Sequence, residues 1–212
     1  MTKTAFRDVI EAQAARIDVA VPPAIFDACA VHFDLMVRWN ATHNLTRVVD
    51  PTEAAIRHYL DCLVPALAWT AAGLPTPTSF LDIGSGAGFP GLIAALVWPG
   101  VEAGLVEPAR KRASFLNIAA GAMGIKARVQ SPGSQTSSLV LSRATFSAGV
   151  HETLWPYVVP GGRVVVWSTS HELDTWRESV STWKDASLSA VPYRLPGVDD
   201  RLLVVVERGV QR

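Results

Sequence analysis

The stretch SFLDIGSGAGFPGL, Ser79 to Leu92, decides how the rest of the chain is read. Four glycines, Gly84, Gly86, Gly88 and Gly91, follow a short apolar run, with Asp82 two places ahead of the first. An apolar helical pattern continues from the last. The segment therefore reads as strand, glycine turn and helix. Such a turn brings backbone close to a ligand and presents N–H groups at the positive end of a helix. Pro90 suits the first helical turn, where its missing donor costs nothing.

Outward from this turn toward the C-terminus, short apolar runs alternate with helical segments. Strands are expected near 79–83, 101–106, 126–129, 138–142, 162–167, 187–194 and 201–207, and helices near 90–97, 109–123, 148–156 and 171–183. That alternation predicts a mostly parallel sheet covered by helices on both faces. The last two strands have no helix between them, only the Pro-Gly turn of LPGV (195–198), which predicts an antiparallel hairpin at the sheet edge. In VVPGGRVVVW (158–167) a turn leads into the fifth strand. Toward the N-terminus the spacing is helical, giving three helices at about 4–17, 23–39 and 51–69, with breaks at Pro22-Pro23 and Asp50-Pro51. AAGLPTPTS (71–79) is the linker. The expected organisation is an N-terminal helical layer, 1–70, and an α/β unit, 79–212, in one compact body.

A chain of 212 residues that is 49% apolar can bury one sizeable core. It has no long uncharged apolar run and no apolar signal core at its start, so a cytoplasmic protein without membrane contact is expected. Cys29 and Cys62 lie in helical apolar patterns without metal-ligand spacing, which predicts buried thiols and no metal site. Nineteen basic residues balance nineteen acidic ones, so an RNA partner would need a local patch.

Three ligand classes compete for the glycine turn. A phosphate-clamping loop ends in Gly-Lys-Ser/Thr, whereas this one ends in Gly-Leu-Ile. A dinucleotide site is harder to set aside. Gly86 to Gly91 satisfies G-x-G-x-x-G, and Glu107 lies about twenty residues on, where a ribose hydroxyl binds. Asp82 shifts the balance, because a carboxylate beside the turn suits a cationic amino group better than a pyrophosphate. S-adenosylmethionine has both an amino group and a ribose, so it accounts for both acids. A tight turn that binds nothing is the bland alternative.

RWNATHNLTRVVDPTEAAIRHYLDCLVPA (38–66), LDIGSGAGFPGL (81–92), LVEPARKRASFL (105–116), SRA (142–144) and RLLVVV (201–206) together resemble the glucose-inhibited division protein B family, the RsmG methyltransferases. The resemblance runs over most of the chain after about residue 30. It implies a Rossmann-like class I methyltransferase fold and transfer of methyl from S-adenosylmethionine to N7 of a guanine in 16S ribosomal RNA. It also implies that the partner is this RNA or the small ribosomal subunit, with a monomer as the expected assembly.

By the same resemblance, Gly84, Gly86, Gly88 and Phe89 form the cofactor turn and Glu107 is the acid on the second strand; Asp82 and Ser85 complete the expected cofactor-binding set. Arg143 lies at the cleft between cofactor and substrate. Asn44, Arg57, His58 and Asp61 belong to the N-terminal signature that packs near it, which makes Arg143, Asn44 and His58 the candidate catalytic residues. Each has a structural alternative: Arg143 as an ion-pair partner, His58 and Asp61 bonded to each other, Asn44 capping a turn. Arg110, Lys111 and Arg112 open a helix and suit a phosphate or a solvated face. Three positions depart from the family pattern, at Pro132-Gly133-Ser134, Ser137-Ser138 and Ser168-Thr169, where the resemblance leads one to expect the adenine and the RNA-facing rim. Two further readings stay open: a binding paralogue without transfer activity, and a small-molecule methyltransferase.

Overall fold

The computed structural model describes residues 3–71, 76–143 and 150–210. Its sheet is laid around β1 (Ser79–Ile83). On one side of β1 lie β2 (Glu102–Val106) and then β3 (Ala127–Gln130); on the other lie β4 (Ser137–Ser142), β5 (Val158–Ser168), β7 (Leu202–Arg208) and β6 (Ala186–Pro192), giving the order β3-β2-β1-β4-β5-β7-β6. Strands β1 to β5 pair in parallel, and β7 pairs antiparallel with both β5 and β6. The chain reverses its direction of travel across the sheet between β1 and β4. In open α/β sheets that reversal opens a crevice beyond the carboxyl ends of the two strands.

The seven expected strands are present, and the hairpin closes through LPGV, with Leu195 bridged to Val198. The start of β5 differs. Val158 to Gly161, expected as a turn, belongs to β5 as part of a bulge, because pairing with β4 jumps from Ser137↔Val158 to Leu139↔Arg163.

Side chains alternate along each strand, so the sheet has two apolar faces. Leu81 and Ile83, Val164 and Val166, and Val204 and Val206 face a core closed by Trp155 and by Trp176, Val180 and Trp183 of α8 (Leu173–Ser181) and its end. A short α7 (Val150–Leu154) precedes β5. Phe80, Val165 and Leu203 face the opposite side, where α5 (Gly91–Val97) lies with Ala94 and Trp98.

A third body of core residues joins the helical layer to the sheet. It runs from Phe6 and Ile10 of α1 (Lys3–Ala15) through Phe26 and Phe33 of α2 (Pro23–His43) and Tyr59 and Leu60 to Leu92, Leu105, Phe115 and Leu116. Phe115 and Leu116 belong to α6 (Arg110–Ala122). Phe6 stacks on Phe33 with ring centroids 3.8 Å apart. Cys29 and Cys62 are buried free thiols in this layer, as expected.

The third expected helix is not uniform. α3 (Pro51–Ala54) opens with Asp50 accepting from the Glu53 N–H, a π-helical stretch (Ala55–Leu60) follows, and α4 (Asp61–Ala71) completes the rod. Pro65 inside α4 has no N–H for the carbonyl of Asp61, four residues back. The indole N–H of Trp167 in β5 donates to that carbonyl instead, at 2.7 Å, and so pins the helix to the sheet. No helix among the described residues is long and apolar enough to cross a membrane.

Candidate active site

The turn between β1 and α5 needs its glycines. Gly84, Gly86 and Gly88 have φ of 77°, 56° and 94°, a region that side chains rarely adopt. Beneath them the N–H groups of Gly84 and Ser85 donate to the Val106 carbonyl at the end of β2, and the Gly88 N–H donates to the Ser85 carbonyl. A Cβ on Gly88 would meet Leu92 Cδ1 at 2.5 Å, so that site is closed by packing. One on Gly86 would meet only the Gly84 carbonyl, at 3.7 Å. The backbone at Gly86 is therefore open to a ligand.

The two acids take different positions. Glu107 follows β2, and its carboxylate accepts from the Gly86 N–H through Oε2 and from the Ala109 N–H through Oε1, both at 2.9 Å. Each oxygen keeps a second lone pair for a hydroxyl donor. Asp82 departs from the reading made above. It shares the face of Phe80, which α5 covers, so its carboxylate lies beneath the turn rather than beside it. The side chain is fully buried, and Oδ2 accepts the N–H of Gly91, the first residue of α5. Oδ1 is buried without a hydrogen-bond partner. Burial pushes this carboxyl up to about 7. The open backbone at Gly86 and the two-sided carboxylate of Glu107 fit an amino acid joined to a ribose, while Asp82 braces the turn from beneath.

Arg143 follows β4 directly, on the β4 side of the turn. Its Nε is 2.9 Å from Asp61 Oδ2, its Nη1 is 3.4 Å from His58 Nδ1, and Nη2 donates to the Arg57 carbonyl. Asp61 is buried at the head of α4. Its carboxylate also accepts from Tyr193 Oη (2.7 Å) and from Arg201 Nε and Nη2 (2.9 and 2.8 Å). One carboxylate thus holds two guanidinium groups, one on each side of the sheet's parallel and antiparallel parts. His58 and Asp61, which could have bonded each other, instead both meet Arg143.

A guanidinium can only donate, so His58 Nδ1 accepts and its Nε2–H donates to Thr46 Oγ1 at 2.9 Å. Burial and then the charge of Arg143 push His58 down to about 4, so it is neutral at physiological pH. Its ring stacks on Phe89 at 4.8 Å, and the Arg143 guanidinium sits 6.0 Å from the Phe89 centroid. Phe89, His58 and Arg143 therefore form one wall.

Other expected residues lie elsewhere. Asn44 is exposed and ends α2 in the left-handed conformation (φ 46°), the capping alternative. Two residues on, Thr46 reaches His58, a contact that the exposed Asn44 does not supply. Arg57 pairs with Glu53 on the surface, while Arg110, Lys111 and Arg112 are exposed at the start of α6. Ser137, expected near the adenine rim, is the first residue of β4 and bonds to Ser79, the first of β1, at the far edge of the sheet. A groove of about 1120 Å³ also lies at that edge, between Ser79, Gly100 and Lys126. Ser168 does lie at the carboxyl edge, where it donates to Glu172 and accepts from the Trp176 indole. No group of His, Cys, Asp or Glu among the described residues could hold a metal.

Two buried residues of the helical layer escaped the sequence reading. His32 Nε2 is 2.8 Å from the Ala87 carbonyl in the glycine turn, and its Nδ1 is 2.7 Å from Tyr59 Oη. A lone histidine and tyrosine on apolar helix faces carry no signal that separates them from core filling.

The model for rRNA small subunit methyltransferase G matches residues 28–201. The chain belongs to this family, GidB. Among GidB relatives, ribosomal RNA small subunit methyltransferase G of Dehalococcoides mccartyi (strain CBDB1) is 31% identical over 193 residues, covering 84% of this chain and 80% of that protein. The protein of the same name from Symbiobacterium thermophilum is 37% identical over 116 residues, covering 55% of this chain and 46% of that protein. The Bacillus cereus O-methyltransferase, solved in complex with SAH, superposes with a TM-score of 0.60 at 12% identity, over 98% of this chain and all of that one. At that identity the likeness speaks for the fold, which is the Rossmann-like class I methyltransferase architecture.

Proposed function

We propose that this GidB protein transfers the methyl group of S-adenosylmethionine to N7 of a guanine in small-subunit ribosomal RNA. The observation that carries the reading is the meeting of three features at the β1–β4 crevice: the glycine turn, Glu107 on its β2 side and Arg143 on its β4 side. Glu107 would take the ribose hydroxyls, and the backbone of Gly84 to Gly88 the amino-acid end. Asp82 would act from below, through the turn that it braces.

When bound, the sulfonium supplies an activated methyl group. Guanine N7 already carries a lone pair, so the protein needs no general base, and positioning and exclusion of water supply most of the barrier reduction. The neutral His58 fits that economy. It accepts from Arg143 and keeps the guanidinium facing the Phe89 ring, which makes it a positioning residue. Arg143 in turn would orient the base or its phosphate. Because methylation leaves the base cationic, a second positive charge at His58 would oppose the reaction, and burial prevents one. An extruded nucleotide is required, since a stacked base does not reach a crevice beyond strand ends.

The test is transfer of labelled methyl from S-adenosylmethionine to unmethylated small subunits, naked ribosomal RNA and a metabolite extract, followed by mapping of the product. Label on one small-subunit guanine is expected. Label in the metabolite arm alone, or in none, overturns the reading. In Gly86→Asp, where φ is 56° and the side chain would enter the open space at the turn, cofactor binding by calorimetry should vanish.

A further inference from the structure

The glycine turn is held from two directions, and one of them is the helical layer. The peptide between Ala87 and Gly88 has its N–H on the Ser85 carbonyl at 2.7 Å and its C=O on His32 Nε2 at 2.8 Å. Both ends of that peptide are therefore fixed. A flip would place the carbonyl against Ser85 and change the φ of Gly88, now 94°.

We infer that His32 and Tyr59 are positioning residues that set the conformation of the cofactor turn, through a buried relay from the Tyr59 hydroxyl to His32 to the Ala87 carbonyl. A carbonyl only accepts, so Nε2 of His32 carries the proton and Nδ1 is the acceptor for Tyr59. The ring is packed edge-on against Phe89, Phe115 and Tyr59, with centroids 5.2, 5.6 and 5.7 Å away, which leaves it one orientation. Both residues are completely buried. Burial lowers His32 to about 4, so the relay is uncharged at physiological pH. The inference rests on the reading of the turn as the cofactor site, and its test is built to fail separately.

The side-chain amide of glutamine can reproduce donation from Nε2, while that of asparagine ends one bond short and can reproduce only Nδ1. His32→Gln should therefore retain S-adenosylmethionine binding within about threefold, whereas His32→Asn and His32→Phe should lose about tenfold, the equivalent of one buried hydrogen bond. Tyr59→Phe leaves Nδ1 unsatisfied but keeps the Ala87 bond, so it should fall between. In steady state the loss should appear in KM for the cofactor, with kcat changed less. Amide exchange at Gly88 reads the same effect without cofactor: protection should be retained in His32→Gln and lost in His32→Asn. Failure of the wild-type protein to bind S-adenosylmethionine would overturn the cofactor reading and leave the exchange result to decide the relay. Equal affinity and equal exchange in the Gln and Asn variants, at matched thermal stability, would show that His32 only fills space and would overturn the inference.

Discussion

Replacing Asp61 by asparagine tests the seam between the helical layer and the sheet. The carboxylate is buried and meets Arg143 Nε, Arg201 Nε and Nη2 and the Tyr193 hydroxyl at 2.7 to 2.9 Å. An amide of the same shape removes the charge and turns an –NH2 toward at least one guanidinium, which can only donate. Two cations then face each other without a counter-charge, and their side chains are only 19% exposed. Breaking a buried ion pair from one side costs about 3–5 kcal/mol. For a domain of this size that lowers Tm by on the order of 10 °C. Thermal and urea unfolding followed by circular dichroism measure it, and Arg201→Met, alone and combined with Asp61→Asn, isolates the pairing. Removing one of the two cations should recover part of the loss. A destabilisation below about 1 kcal/mol, with additive effects in the cycle, would show the cluster to be solvated and would remove the account of how Arg143 is held.

Two other perturbations read the turn and its surroundings. His32 and His58, each lowered from 6.5 to about 4, are neutral in the fold while the unfolded chain protonates, so each contributes stability that is lost as pH falls through that window. Asp82 is raised from 3.8 to about 7, so its contribution has the opposite sign and is lost as pH rises through the same range. For these three groups the sum is one proton, about 1.4 kcal/mol per pH unit lost on acidification. Asp82→Asn should roughly double that slope in urea titrations between pH 4 and 6.5, and an unchanged slope would mean that the carboxyl is hydrated. Gly91→Ala should cost about 1–3 kcal/mol by overpacking. Its Cβ would lie 2.4 Å from Leu105 Cδ2 and 2.6 Å from Asp82 Oδ2, and an unaltered melting point would show that α5 stands farther from β1.

The sheet was legible because each of its strands is apolar in a run or in alternation and is bounded by Gly, Pro or Ser. Those are local signals of burial. The glycine turn was legible for a similar reason, since positive φ at Gly84, Gly86 and Gly88 restricts the residue type. What a side chain touches is set by distant residues. Arg201 and Tyr193 meet Asp61 across more than 130 positions, which no spacing rule contains. Asp82 sits in the expected strand, but its alternation with Leu81 and Ile83 places it on the face that α5 covers. That parity was present in the sequence and, followed through, points the carboxylate under the helix. The π-helical turn before Asp61 was not legible, because an apolar helical period looks the same with one wider turn in it.

The span between Asp61 and its second arginine also bears on how the protein is made. Synthesis runs from the N-terminus, so the helical layer and its buried acid leave the ribosome 140 residues before Arg201, the residue that precedes β7. Until that strand pairs with β5, a carboxylate that belongs in a dry seam has at most one of its two cations. The layer can collapse early around Phe6, Phe33 and Tyr59, yet the seam at Asp61 is completed only when β7 arrives. Polypeptides arrested before β7 would therefore carry a formed glycine turn and a loosely held Arg143, and the crevice is finished only once β7 has paired.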